Sequence, residues 1–287
     1  MTSVSIIIPA LNEEHGLPAV LTAIRALPFT AETIVVDDGS TDATGEVARS
    51  FGATVLRHPM PMGYGRSLKD GIRAATGDII VITDADGTYP VDRIPSLVEK
   101  CKEGFALVVG ARQGAEYRGS FFKMPARFFL KALVEFTTGR KIPDINSGLR
   151  AFDRATALRS IDDLCEGFSF TTTQTLAYML TWQSVTYIPI EYSKRIGASK
   201  VRMVRDSLRT LQYITESIAH FNPLKLFMLL SLAALLIGLL TMPLGGPIGL
   251  VLGAWTALII FALGIVAESL RGAHRTRSTK ERCKEQE

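Results

Sequence analysis

A chain of 287 residues with 47% hydrophobic and 21% charged side chains can bury a substantial core, which excludes disorder as its main state. Its formal net charge of +4 comes from basic clusters flanking an apolar C-terminal region. That pattern suits anionic lipid, and without zinc-ligand spacing or an RNP-like aromatic motif nucleic acid is not an expected partner. The three cysteines, Cys101, Cys165 and Cys283, are too scattered for a disulfide framework or a metal cluster and fit a reduced, cytosol-facing compartment. The N-terminus lacks the basic n-region of a signal peptide.

Residues 4–8 read as a short strand ended by Pro9, and Asn12 is placed to cap a helix running to about Leu27. Residues 33–37 form a second strand, and Ser40 or Thr41 is placed to cap a helix to about Phe51. A third strand at 53–57, a helix from about Gly65 to Ala75, a fourth strand at 78–83, a helix from about Ile94 to Glu103 and a strand at 106–110 follow. Alternating elements whose strands are continuous apolar runs predict an α/β domain with a mostly parallel sheet covered on both faces. Ligands of such sheets sit beyond the carboxyl ends of the strands.

Two acidic groups fall at those ends. Asp84 and Asp86 stand two apart after the fourth strand, on one side of the chain, and form a hard-cation site for magnesium or manganese. Asp37 and Asp38 end the second strand, where a carboxylate can accept hydrogen bonds from a base or a ribose. Gly63-Tyr64-Gly65-Arg66 looks like a phosphate-cradling turn, but Leu68 stands where a dinucleotide fingerprint needs glycine, so hydride transfer is disfavoured.

Residues 120–137 carry a broad apolar surface opposite Lys123, Arg127 and Lys131, and 203–221 repeat the theme, as interfacial amphipathic helices do. From Leu226 to Ala267 there is no charged residue. As one helix that run would reach roughly 60 Å, about twice a bilayer core. The break at Met242-Pro243-Leu244-Gly245-Gly246-Pro247 divides it into spans at about Leu224–Leu240 and Ile248–Ala267. Arginines and lysines flank the hairpin and none lies in its turn, so both termini are expected in the cytoplasm.

Three motifs in order, IIIPALNEE, VVDDGSTD and TDADGTYP, resemble the family-2 glycosyltransferases of the GT-A fold. Further stretches resemble their polyprenyl-phosphate branch, the dolichol-phosphate mannose and glucose synthases and bacterial relatives: Gly110-Ala111-Arg112, Asn146 to Phe152, Gly167 to Thr173, and Lys194 to Lys200. The likeness covers roughly residues 3–225. It implies a GT-A catalytic domain at 1–202, an interfacial helix at 203–222, a transmembrane hairpin at 223–268 and a basic cytoplasmic tail at 269–287. In the resemblance Pro9, Ala10, Asn12, Glu13, Asp37, Asp38 and Arg66 line the nucleotide-sugar site. Asp84 and Asp86 hold the donor diphosphate and Mg2+ or Mn2+, with Asp86 favoured as direct ligand. Arg112, Arg127, Ser147, Arg150 and Arg195, helped by Lys200, meet the acceptor phosphate or the donor diphosphate, and Arg112 and Arg195 join Asp84 and Asp86 as catalytic residues. Gly87-Thr88-Tyr89 departs from many relatives after D-x-D, so any polar contact there passes to Thr88 or is lost.

The implied reaction is metal-dependent, inverting transfer of a hexose from a nucleotide-sugar to dolichyl or undecaprenyl phosphate at the cytoplasmic face of the inner membrane. A UDP-sugar is favoured over GDP-mannose as donor. No His-based dyad is evident among His15, His58, His220 and His274, and an ionised phosphate needs no general base. Two alternatives compete. A processive polysaccharide synthase would carry a Gln-x-x-Arg-Trp motif, absent here; a non-catalytic nucleotide-sugar- or lipid-binding membrane module would not need the intact acids and arginines. The short spans leave surface for a homo-oligomer.

Overall fold

A computed structural model describes residues 2–114, 124–193, 211–216, 218–219, 222–245 and 247–284. The chain divides into two compact units, Met1–Tyr213 and Ile214–Glu287.

The first unit is built on seven strands: β1 (Val4–Ala10), β2 (Glu32–Asp37), β3 (Thr54–Arg57), β4 (Ile79–Ile82), β5 (Leu107–Gln113), β6 (Arg150–Asp153) and β7 (Val185–Glu191). They form one sheet in the order β3-β2-β1-β4-β6-β5-β7. β3, β2, β1 and β4 pair in parallel, as do β5 and β7, while β6 runs antiparallel between β4 and β5. Among the described residues seven α-helices accompany the strands: α1 (Leu17–Arg25), α2 (Thr44–Ser50), α3 (Tyr64–Ala74), α4 (Ile94–Lys102), α5 (Met124–Thr138), α6 (Arg154–Ser160) and α7 (Phe170–Leu180).

Alternation along each strand sorts the core. Ile6, Ile8, Val35 and Val81 pack with Leu17, Leu21, Ile94 and Leu97 of α1 and α4 on one face. On the other, Ile7 and Val36 meet α3 at Gly71, where a Cβ would come within 2.5 Å of the Ile7 Cγ2. The glycine sets how closely α3 lies on β1, the link that carries Tyr64 to the rim of the sheet. β7 contains Pro189, which an edge strand tolerates because the lost N–H costs no ladder partner on its open side.

Strands β1 to β5 lie where the apolar runs predicted them. β6 and the start of α7 fall in segments read from the sequence only as motifs, and α6 and β7 in segments with no expected element. Both helix caps differ from expectation. Asn12 sits in the left-handed region, φ 50°, in a turn, and α1 begins only after Gly16. The Asn12 Oδ1 instead accepts from the backbone N–H of Thr41 at 2.8 Å. α2 starts after Ala43, with Asp42 Oδ1 accepting from the Thr44 N–H at 3.0 Å, so neither Ser40 nor Thr41 caps it.

The second unit holds α8 (Pro223–Gly245) and α9 (Pro247–Lys284). Pro223–Pro243 and Pro247–Arg271 are long and apolar enough to cross a membrane, within a few residues of the expected spans. The pair forms a hairpin packed through small residues. A Cβ on Gly253 would lie 2.6 Å from the Gly238 Cα, and the Ser231 hydroxyl donates to the Ala257 carbonyl at 2.8 Å. Their outer faces leave Leu240 (75%), Ile248, Trp255 and Leu258 exposed, a surface unlike that of a core hairpin. The expected basic tail continues α9 as helix to Lys284.

Candidate active site

The parallel strands end together, and β6, running the other way, begins at the same rim: Ile82 of β4 pairs with Arg150, which also pairs with Val109 of β5. One edge of the sheet therefore collects the turns after β1, β2, β4 and β5 and the loop before β6.

Asp38 is buried on the β2 turn and fully engaged. Its Oδ1 accepts from the Met62 N–H at 2.7 Å and faces the His58 Nδ1 at 2.7 Å; its Oδ2 accepts from the Gly63 N–H at 2.9 Å. The carboxylate thus seats the 61–63 loop, and α3 starts directly after it. Gly39, at φ 73°, closes that seat, since a Cβ there would fall 2.6 Å from the Met60 backbone.

Tyr64 opens α3 and donates its hydroxyl to Asp84 Oδ1 at 3.0 Å. Burial, then the Asp84 charge, pushes the Tyr64 phenol well above its ordinary range, so it remains a donor at neutral pH. Gly148 lies against the same carboxylate: a Cβ there would stand 2.9 Å from the Asp84 Oδ2. Its N–H donates to the Tyr89 hydroxyl at 2.7 Å, and burial also raises the Tyr89 phenol. Two tyrosines therefore set the surroundings of Asp84, one directly and one through the Gly148 backbone. Asp86 is 4% exposed, and its Oδ1 accepts from the Thr88 N–H at 3.1 Å and hydroxyl at 2.7 Å across Gly87, φ 71°. Thr88 thereby shapes the Asp86 turn.

Across the rim, Arg112 at the end of β5 forms a fork-to-fork pair with Asp144: Nε to Oδ2 at 2.7 Å and Nη2 to Oδ1 at 2.9 Å. Its guanidinium also lies 5.4 Å from the Tyr192 ring centroid. Burial would raise the Asp144 carboxyl, but Arg112 outweighs it and holds the group below the usual range.

Several expected site residues are placed differently. Arg150 is fully buried, and its guanidinium is taken up by acceptors of the protein itself. Its Nε and Nη2 donate to the Ser147 carbonyl, and its Nη1 to the Thr171 carbonyl, Gln174 Oε1 and Thr175 Oγ1. It clamps the 147–150 segment to α7, because a buried guanidinium must find acceptors and the threonine-rich first turns of α7 supply them. The Ser147 hydroxyl is buried without a hydrogen-bond partner among the described residues. Asp37 turns toward α2, accepting from the Ser40 N–H at 2.9 Å with the Arg57 Nη1 3.6 Å away. Arg66 is paired with Asp70, Nε to Oδ2 at 2.8 Å. Pro9 and Ala10 end β1, and the Glu13 N–H donates to the Thr44 hydroxyl at 2.9 Å, tying the β1 and β2 turns together. Arg195 and Lys200 lie outside the described residues, as does the Arg127 side chain and most of the expected interfacial helix at 203–222. Asp144 carries no signal in the sequence; Tyr64, Tyr89 and His58 stand in or beside motifs there but without these contacts, and His58, set aside as part of no dyad, faces Asp38.

Among the described residues no three His, Cys, Asp or Glu side chains cluster as a complete metal cage. Asp84 and Asp86 nevertheless offer hard oxygen donors on one turn. Such a pair fits a cation that takes its other ligands from a substrate diphosphate and water.

The fold is that of a glycosyltransferase of the GT-A type. The family model for glycosyl transferase family 2 matches residues 5–163, and the chain belongs to that family. The undecaprenyl-phosphate 4-deoxy-4-formamido-L-arabinose transferase of Salmonella choleraesuis (strain SC-B67) is 29% identical over 282 residues, covering 94% of this chain and 84% of the relative. The enzyme of that name from Klebsiella pneumoniae (strain 342) is 30% identical over 246 residues, 82% and 73% of the two chains. The fold is shared with glucosyl-3-phosphoglycerate synthase of Mycobacterium tuberculosis. Its complex with Mn2+, UDP and glucosyl-3-phosphoglycerate gives a TM-score of 0.62 at 23% identity over 75% of this chain and 80% of that one. Its complex with Mg2+ and UDP gives 0.63 at 24% identity, covering 75% and 79%.

Proposed function

We propose that this glycosyltransferase moves a sugar from a nucleoside-diphosphate donor to a polyprenyl phosphate, with inversion, at the cytoplasmic surface of a membrane. The observation that carries the reading is the Asp84–Asp86 turn at the end of β4, held from both sides by Tyr64 and Gly148. It is supported by relatives that act on undecaprenyl phosphate and match nearly the whole chain, apolar helices included.

The lipid phosphate oxygen attacks the anomeric carbon while the bond from that carbon to the diphosphate breaks, and the electron pair leaves on the nucleoside diphosphate. A phosphate monoester has its second pKa near 6, so the nucleophile is ionised at neutral pH and the task is positioning and electrostatics. The turns bearing Asn12, Glu13 and Asp38 form the nucleoside side. Asp84 and Asp86 would hold Mg2+ or Mn2+, which would neutralise charge growing on the leaving diphosphate. Arg112 meets the acceptor phosphate while braced by Asp144, together with Arg127, Ser147, Arg195 and Lys200. Arg150 holds the 147–150 segment in place. The hairpin spans the bilayer with both termini cytoplasmic, as its basic flanks require.

A donor panel tests this. UDP-glucose, UDP-N-acetylglucosamine and GDP-mannose are each incubated with polyprenyl phosphate and Mg2+ or Mn2+, and lipid products are identified by mass. One donor, a UDP-sugar, is expected to yield a polyprenyl-phosphate-sugar that chelator suppresses. Release of free sugar without lipid product would defeat the acceptor assignment.

A further inference from the structure

His58 is buried between two carboxylates that the reaction scheme does not use together. Its Nδ1 faces Asp38 Oδ1 at 2.7 Å and its Nε2 faces Asp70 Oδ2 at 3.2 Å. Each ring nitrogen thus faces one carboxylate oxygen within hydrogen-bond distance, and the ring bridges the two acids. Asp70, on α3, is itself held by Arg66 Nε at 2.8 Å and Arg73 Nη1 at 3.3 Å. Burial would raise the Asp70 carboxyl, but Arg66 and then His58 keep it below its usual range. At the other end, Asp38 takes the N–H groups of Met62 and Gly63, and the next residue, Tyr64, reaches Asp84. The His58 backbone N–H also donates to the Asp37 carbonyl at 2.9 Å, which ties the residue's main chain to the β2 turn.

We propose that Asp70, His58 and Asp38 form a positioning relay that sets the 61–64 loop, and through Tyr64 the Asp84 carboxylate, for the donor nucleotide. The relay deepens the donor-site reading and rests on it. None of its members touches reacting atoms: Asp38 fixes the loop, His58 orients Asp38, and Asp70 orients His58. Charge-assisted hydrogen bonds around a buried imidazole give the chain of contacts its leverage over two backbone N–H groups.

Hydrogen exchange on the full chain in detergent, read on peptides covering 59–65, tests the relay itself. Asp70→Ala and His58→Ala are expected to speed exchange at Met62 and Gly63 about tenfold, as loss of one bond to a charged group allows. Exchange in β4 should be unchanged. Asp70→Asn keeps an acceptor oxygen and restores most of the protection. If His58→Ala fails to fold, the surface-placed Asp70→Ala carries the test. In parallel, affinity for the tighter-binding of UDP and GDP, with Mn2+, should fall about tenfold in both alanine variants. Donor KM should rise with it, while kcat and the acceptor KM hold. Unaltered exchange at Met62 and Gly63 in Asp70→Ala overturns the relay. Faster exchange with unchanged nucleotide affinity and donor KM overturns its positioning role and leaves only a structural brace. Failure of the wild type to bind either nucleotide defeats the donor-site reading instead, and the exchange arm still decides the relay.

Discussion

Around Asp38 and Asp84 the rim holds carboxylates with an imidazole, backbone N–H groups and a tyrosine hydroxyl. Around Arg112 and Arg150 it holds guanidiniums with acceptors from the protein itself: a carboxylate for one, and two carbonyls, an amide and a hydroxyl for the other. The acidic half is thus arranged to receive a cation and its diphosphate. The basic half is already largely compensated, and its two described arginines act first as structure. Arg112 shares its fork with Asp144, and Arg195, Lys200 and the Arg127 side chain lie outside the described residues. A guanidinium near a motif is not by itself a phosphate ligand; what decides is whether the fold has supplied its acceptors beforehand.

The largest effect that would break this contrast is at Arg150. Arg150→Met leaves the Ser147 and Thr171 carbonyls without their donor and should cost about 3–5 kcal/mol of stability. Denaturant unfolding of the solubilised protein measures it. A variant that remained fully stable but lost acceptor affinity would return Arg150 to the acceptor site. Next in size is Gly148→Ala, which pushes a methyl to within 2.9 Å of Asp84 Oδ2. Transfer should fall roughly 10–100-fold, about 1.4–2.7 kcal/mol, with little change in the unfolding midpoint. Wild-type rates would show that the position of Asp84 is not critical.

The same contrast explains what the sequence made legible. β1 to β5 are continuous apolar runs bounded by turn residues, and the acids at their ends follow from strand direction alone. β6 is four residues, Arg-Ala-Phe-Asp, whose first side chain is a cation in the core, so no hydrophobic pattern marks it. In α7 the run Thr171–Thr175 reads as polar surface yet is buried, because it receives Arg150 from a strand more than twenty residues earlier. Asp84 and Asp86 were legible as a pair. Their supports, Tyr64 and the Gly148 N–H held by Tyr89, were not, since spacing along a chain says nothing of which distant loop will meet it. Asn12 misled because asparagine caps helices and also tolerates the left-handed turn it occupies.

The smallest effect concerns pH. The Asp144 carboxyl is depressed in the folded state, so its pairing with Arg112 contributes stability in full above the unfolded value of about 3.9 and loses it as pH falls through the lower folded value. Asp144→Asn should therefore be less stable than wild type by about 1–2 kcal/mol near pH 6, with the gap closing below about pH 4. Unfolding midpoints of the two proteins across that range decide it, and a gap independent of pH would show that the ion pair contributes nothing through charge.

The acidic half carries the central claim, that Asp84 and Asp86 hold the donor through a divalent cation. The most direct measurement is electron paramagnetic resonance of free Mn2+, titrated into wild type and Asp86→Ala with a nucleoside diphosphate present, alongside transfer to polyprenyl phosphate. Wild type should remove one equivalent of Mn2+ from solution in the presence of nucleotide. Asp86→Ala should remove none, and its transfer rate should fall by about 100-fold or more. Equal Mn2+ uptake and equal transfer by Asp86→Ala would contradict the account.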